Sequence, residues 1–223
     1  MKINKVSEAF TYFGNFSKLI QKAEKIKEAF EDFQFSSHQE QSPNGIPAPV
    51  YRLTKANYSI TIRVFRIDIE RAIRENASDE DFLNYTADVA ERLSKLDQLM
   101  GNRVAYSNTE FVENKDKEVV TKMNELFKVK EIYEEGNADE FQLRLNHIIN
   151  IGGEKVNSII IVQDGSVTHN ATKAVIPVVF INKDVNTVIT NNVFRFTLSK
   201  ARTLLPELMA EASRKTDVLI SRL

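Results

Sequence analysis

The chain has 223 residues, 42% of them hydrophobic, with 30 Lys and Arg against 31 Asp and Glu and a formal net charge of -1. This composition excludes wholesale disorder, and the balanced charge argues against nucleic acid as a general partner. The absence of cysteine excludes disulfides and sulfur-ligated zinc, and it suits a reducing compartment. The first residues lack the apolar run of a secretion signal, and the longest apolar runs are strand-sized. We therefore expect a cytoplasmic protein with no membrane partner.

The N-terminal part is predicted to form a strand, a helix, a loop and a hairpin. Residues 6–13 are predicted to be a strand, and apolar residues recurring at three and four positions over 16–33 predict one amphipathic helix. Residues 36–49 hold three of the five prolines and an Asn-Gly pair, which predicts a loop that could act as a flap. Residues 51–54 and 58–69 are predicted to be two strands of a hairpin, because apolar residues alternate along the second of them.

The middle of the chain is predicted to contain a capped helix between strands. Ser78 is a candidate N-cap followed by three acidic residues, and the apolar spacing over 82–100 predicts a helix that Gly101 terminates. Residues 103–112 are predicted to be a strand. Residues 115–127 are predicted to be a shorter helix.

The C-terminal part is predicted to contain further strands and a long helix. After a turn at 134–139, residues 141–151 and 156–163 are predicted to form a hairpin around Gly152-Gly153, at the centre of the sheet. A turn is predicted at 164–165. The next two elements are a strand over 174–181, which Pro177 places at an edge or a bulge, and a helix over 197–223, which Pro206 kinks or divides.

These elements favour an α+β fold. The expected architecture is one or more antiparallel sheets of hairpins with helices packed on one face and a long C-terminal helix. We expect a single domain over 1–223, with the alternative of two sheet-plus-helix halves, 1–113 and 114–223.

No nucleotide-phosphate, zinc-protease or serine-hydrolase motif occurs, and no pair of histidines has metal-ligand spacing, so we expect no cofactor and no metal. The weak catalytic candidates are His147, Asp68 and Glu70. His147 falls on an apolar strand face, where a carboxylate could shift its pKa or where it could simply be a satisfied core side chain. Asp68 and Glu70 fall on one strand face, as an acid/base pair or as ordinary edge charges.

A basic and aromatic cluster near residue 66 offers a second set of candidates. Four arginines at positions 63, 66, 71 and 74 are interleaved with apolar residues, and Arg103 and Tyr106 approach them if the strands pair. Such a sheet surface can bind single-stranded RNA, but the interleaved acids favour surface ion pairing instead. Candidate binding residues flank the predicted loop, namely Phe35, Ile46 and Tyr51.

The central segment carries a family resemblance. It reads Ile60-Thr-Ile-Arg-Val-Phe-Arg-Ile, then a predicted helix over 82–99, then Asn102-Arg-Val-Ala-Tyr-Ser-Asn-Thr-Glu-Phe-Val. Together with the C-terminal order of strands and a long helix, it resembles proteins related to the export chaperone SecB. The resemblance implies an antiparallel sheet backed by helices, oligomerisation, and binding of unfolded chains or of toxin and antitoxin partners. It assigns no functional residue, because no motif position matches one.

The leading hypothesis is a protein-binding or scaffolding module whose partner is another protein or a second copy of the chain. It would act as a SecB-like chaperone or bind toxin–antitoxin or phage-related partners, by burying an apolar segment of the partner. The alternative is a small-molecule enzyme in which His147 converges with Asp68 or Glu70. A third hypothesis is a component of a mobile or defensive genetic element.

Overall fold

The computed structural model describes residues 3–41, 45–73, 77–114, 118–126, 141–169, 172–190 and 193–221. The strands within these residues are β1 (Ile3–Gly14), β2 (Gln34–Gln41), β3 (Pro47–Lys55), β4 (Tyr58–Ile62), β5 (Arg66–Ala72), β6 (Met100–Glu113), β7 (Gln142–Ile151), β8 (Glu154–Thr168), β9 (Val175–Thr187) and β10 (Phe196–Thr197). The helices are α1 (Ser17–Ile20), α2 (Ala23–Ala29), α3 (Asp79–Leu96), α4 (Glu118–Leu126) and α5 (Leu198–Ile220).

The strands form one antiparallel sheet. Its order is β2-β3-β4-β5-β1-β6-β9-β8-β7, with the short β10 paired to β6. The long β1 and β6 pair along most of their length and occupy the middle of the sheet. A large antiparallel sheet with helices and a long C-terminal helix confirms the predicted α+β fold class. No helix among the described residues is both long and apolar enough to cross a bilayer.

The helices all pack on one face of this sheet. Residues that lie opposite each other on neighbouring strands share a face, so Phe10, Tyr106 and Val185 point to the same side. These three side chains belong to one core cluster with Phe82 of α3 and Leu208 of α5. We call this side the helix-covered face.

The opposite side of the sheet contains hollows. Thr11, Asp68 and Thr61 lie in one row across β1, β5 and β4 on this side, and their exposed fractions are only 6%, 1% and 6%. No helix in the described part of the chain lies over them, and Asp68 is instead enclosed by Thr11, Arg63 and Arg66, which donate hydrogen bonds to it. We call this side the concave face.

The chain uses the same order of elements twice. Each half consists of a strand, one or two helices, a series of hairpin strands and a final helix. The first half runs from β1 to α3 and the second from β6 to α5. In each half the last hairpin strand pairs with the first strand, β5 with β1 and β9 with β6. The repeat begins again at Met100, whereas the sequence placed the boundary after residue 113. Whether the two halves behave as separate domains stays a prediction.

Three N-terminal predictions need correction. The single helix over 16–33 is broken into α1 and α2, although Ile26 and Phe30 of its apolar stripe are buried as expected. Most of the predicted loop over 36–49 is strand, because β2 and β3 pair from Gln34 opposite Thr54 to Gln41 opposite Pro47. Residues 42–44 lie outside the described residues.

Two further boundaries differ in the central part. The predicted strand over 58–69 is divided, because the chain turns at Arg63, whose amide donates to the carbonyl of Arg66. The helix with its Ser78 capping box ends at Leu96 rather than at Gly101. Gly101 lies within β6, where a Cβ atom would clash with the Tyr12 ring. This glycine therefore serves close strand packing and is not a helix cap.

The predicted central hairpin is not central. Its turn at Gly152-Gly153 is confirmed, with φ angles of 54° and 79°, but β7 is an edge strand and β8 lies next to it. The predicted turn at 164–165 is wrong, because β8 continues to Thr168. The turn predicted at 134–139 lies outside the described residues.

The two C-terminal prolines are accommodated in regular elements. The strand that carries Pro177 lies between β6 and β8 rather than at an edge. The pairing of β9 with β6 begins at Val178, one residue after Pro177. Pro177 has no amide hydrogen, and its position means that it does not need to donate one to β6. The long C-terminal helix is confirmed as α5, and it runs as one element across Pro206.

Candidate functional site

The floor of the concave face is built from small and polar side chains. In β1 and β6 these lie opposite each other as Ser7 with Thr109, Ala9 with Ser107, and Thr11 with Ala105. Short side chains leave space above the strands, and hydroxyl groups supply hydrogen bonds to whatever enters that space. The floor therefore suits a polar ligand, whereas the binding hypothesis expected an apolar surface.

Two adjoining hollows open on this floor. The first has a volume of about 320 Å³, and its lining includes Phe13, Arg66, Arg103 and Asp184. The second has a volume of about 530 Å³ and its lining includes Arg52. Both are lined by residues 107–109, so the two hollows meet along β6.

One end of the first hollow is formed by two arginines on either side of a phenylalanine. Phe13 of β1 lies opposite Arg66 of β5 and opposite Arg103 of β6. The guanidinium carbons of Arg66 and Arg103 lie 5.8 Å and 4.8 Å from the centre of the Phe13 ring, within the range of cation–π attraction. This row across three strands fixes the positions of both guanidinium groups.

Asp68 is fully engaged in hydrogen bonds. It accepts from Thr11 Oγ1 at 2.8 Å, from Arg63 Nη1 at 3.0 Å and from Arg66 Nε at 2.6 Å. Glu70, two residues along the strand, accepts from Ser59 Oγ at 2.9 Å. The two carboxylates share the concave face as predicted, but Asp68 is a buried anchor for arginines rather than an exposed edge charge.

The third catalytic candidate, His147, lies elsewhere. It is exposed on β7, at the edge of the sheet, opposite Ser158 on the helix-covered side. Five strand spacings of about 4.8 Å separate β7 from β5, which carries Asp68 and Glu70 on the other face. The structure does not bring the three side chains together, and His147 is not a core histidine.

The arginines of the predicted basic cluster also lie on different faces of the sheet. Arg63 and Arg66 lie on the concave face and pair with carboxylates there. Arg71 and Tyr106 point into the helix-covered core, where both bind Glu8. The fourth arginine, at position 74, lies outside the described residues.

The candidate binding residues do not form one surface. Phe35 and Tyr51 pack against each other with ring centres 5.4 Å apart, and the Tyr51 hydroxyl donates to the carbonyl of Ile20 at 2.9 Å. Both therefore belong to the packing beneath α1. Ile46 is 62% exposed and precedes β3.

The two edges of the sheet differ in chemistry. On β7, Leu145 and Ile148 are 52% and 59% exposed, on the helix-covered and concave sides respectively. On β2, at the opposite edge, the exposed side chains are polar, and His38 contacts Glu40 at 3.0 Å. Exposed apolar side chains beside unpaired strand hydrogen-bonding groups favour pairing with another chain. Sequence alternation identified the faces of β7, but it gives no information about which strand lies at an edge.

A pair of buried charge clusters holds the helix-covered face together. In the first, Glu8 accepts from Arg71 Nε at 2.6 Å and from Tyr106 Oη at 2.8 Å. In the second, Glu110 pairs with Lys183 at 2.7 Å. Burial raises the pKa of Tyr106 and lowers the pKa of Lys183. Both clusters are closed beneath helices, so we assign them to stability.

The β2–β3 hairpin is attached to the concave face by Glu40. Hydrogen bonds from Arg63 Nε at 2.9 Å and from His38 lower the pKa of Glu40 to about 2 from its ordinary value of 4.5. A lowered pKa contributes stability that is present above pH 4.5 and is lost as the pH falls towards 2.

We therefore expect Glu40→Gln to be less stable than the wild type at pH 7 and to match it at pH 2. Urea unfolding at several pH values would measure the difference, which solvent screening keeps small because the carboxylate is partly exposed. A difference that stays constant from pH 7 to pH 2 would contradict the role of this ion pair.

Within the described residues, no group of three or more His, Asp or Glu side chains is arranged to hold a metal ion. No family model matches the chain, and no curated protein matches it. Among solved structures it is similar to the di-domain ARO/CYC StfQ from the steffimycin biosynthetic pathway, over 94% of each chain, with 7% sequence identity and a TM-score of 0.20. At that score the similarity carries no argument about function.

Proposed function

We propose that this protein is a protein-binding module that pairs with a second copy of itself through the exposed edge of β7. The observation that carries the proposal is the chemistry of this edge. β7 is a ten-residue strand whose one neighbour in the described part of the chain is β8, and it exposes apolar side chains on both faces. A long edge strand with exposed apolar side chains is a template for strand addition.

Charge favours a second copy as the partner. Arg144 is the only Asp, Glu, Lys or Arg side chain in β7, so the strand offers no charge pattern that would select an oppositely charged partner. In antiparallel self-pairing about a two-fold axis at Asn146, Arg144 lies opposite Ile148 of the second copy. With the axis at His147 it lies opposite Asn150. Like charges therefore do not meet in either arrangement.

The fold already joins its own two halves in this way. β1 and β6 are the first strands of the two halves, and they meet edge to edge in antiparallel register. The same type of contact at β7 would extend the sheet from one copy into the next, with the helices of both copies on one side. Oligomerisation is also what the resemblance to SecB-related proteins implies, while chaperone activity stays a prediction.

The experiment compares two double variants by light scattering after gel filtration. The wild type is expected at twice the chain mass of 25.5 kDa. Leu145→Lys with Ile148→Lys is expected to be a monomer, because lysine on an edge strand blocks pairing with other chains. The matched control, Ser37→Lys with His38→Lys on the opposite edge, is expected to remain a dimer.

A monomeric wild type, or a dimer that survives the β7 substitutions, would overturn self-pairing. A monomer that instead carries a different polypeptide, lost on substitution of β7, would overturn the choice of partner and retain protein binding at this edge. Circular dichroism of each variant establishes that the fold is unchanged.

A further inference from the structure

Arg103, which lines the first hollow, differs from Arg63 and Arg66 in its partners. Arg63 and Arg66 each donate to carboxylates on the concave face. Arg103 makes no ion pair with a described residue, and its Nε is buried without a hydrogen-bond acceptor among them. Among the described residues, the guanidinium group of Arg103 interacts with the ring of Phe13. A buried guanidinium donor without an acceptor is costly. The terminal Nη groups of Arg103 are not buried, so they are the donors that an anion in the hollow would contact.

The surroundings are preorganised for such an anion. Arg66 is held by Asp68 at 2.6 Å, and the Phe13 ring lies between the two guanidinium groups. Arg66 therefore does not need to be ordered when a ligand binds, which lowers the entropic cost of binding. Planar guanidinium groups suit carboxylate and phosphate oxygens because they offer parallel N–H donors.

We propose that the first hollow binds a small polar molecule through an anionic group, a carboxylate or a phosphate, that contacts the Nη groups of Arg103 and reaches Arg66 across the edge of the Phe13 ring. The far end of the hollow contains Asp184, opposite Ser107, which is four residues along β6 from Arg103. Four residues of strand span about 13 Å. The ligand therefore carries hydrogen-bond donors, such as hydroxyl or amino groups, at the end away from its anionic group.

This site does not depend on pairing at β7. It lies in the middle of the sheet, across β5, β1, β6 and β9, and the residues that form it come from both halves of the chain. An experiment can therefore contradict the anion site without contradicting self-association, and the reverse.

The test uses inorganic phosphate as the probe and the Nε–H signals of 15N-arginine-labelled protein as the readout. Phosphate is added at constant ionic strength against sodium chloride. We expect saturable shifts of the Arg103 and Arg66 signals. In Arg103→Gln, the remaining Arg66 signal is expected to report affinity weakened about tenfold or more, as loss of a charge-assisted bond predicts. In Arg52→Gln, which changes an exposed arginine of the neighbouring hollow, the affinity is expected to be unchanged.

Shifts that do not saturate, or that chloride reproduces, would overturn the proposal. Equal affinity in Arg103→Gln would overturn it as well, and loss of binding in Arg52→Gln alone would place the anion in the second hollow. The wild-type titration alone shows whether phosphate binds saturably at these arginines, even if a variant fails to fold. A second titration with acetate distinguishes carboxylate from phosphate as the preferred group.

Discussion

Replacing Arg71 with methionine is expected to lower the free energy of unfolding by about 3–5 kcal/mol, the cost of leaving one member of a buried ion pair without its partner. The side chains of Arg71 and Glu8 are 1% and 0% exposed. Arg71 donates to Glu8 and, through Nη1, to the carbonyl of Ser78 at 2.7 Å. Its loss would leave both acceptors short of a donor beneath α3.

Urea unfolding of the variant, followed by circular dichroism, would measure this change. Arg52→Met is the matched control, because Arg52 is exposed and makes no ion pair with a described residue. Its effect is expected to stay within about 0.5 kcal/mol. An Arg71 variant as stable as this control would show that the buried pair contributes no net stability.

Replacing Leu208 with alanine is expected to lower the free energy of unfolding by about 2–5 kcal/mol, because it leaves a cavity in a closed core. Leu208 is 0% exposed in the middle of α5, the helix that packs against strands of both halves. The control on the same helix is Val218→Ala, since Val218 is 49% exposed. Equal losses in the two variants would mean that α5 is not packed as described.

The elements that the sequence predicted best are those whose signals are local. Ser78 and the acidic residues after it mark the start of α3, and the capping box between Ser78 and Asp81 is present. The turn at Gly152-Gly153 needs positive φ angles that glycine adopts freely. In both cases the decisive interaction joins residues only a few positions apart.

The candidate site depends on contacts that no local pattern contains. Phe13 lies between Arg66 and Arg103, which are 53 and 90 residues further along the chain. Alternation shows that such residues share strand faces, but it does not show which strands are neighbours or in which register. The same limit explains why the sequence predicts β7 at the centre of the sheet and His147 on an apolar strand face.

The position of β1 between β5 and β6 determines the order in which the sheet can assemble during synthesis. β1 leaves the ribosome before both of its neighbours, β5 and β6, and these two neighbours are synthesised at different times. Once α3 is complete at Leu96, β5 can occupy one side, while β6 ends only at Glu113. At a synthesis rate of about 5–20 residues per second, the other edge of β1 stays unpaired for about one to three seconds until β6 is complete. A transcript truncated within that interval would release a fragment whose first strand recruits a neighbouring nascent chain in place of its own continuation.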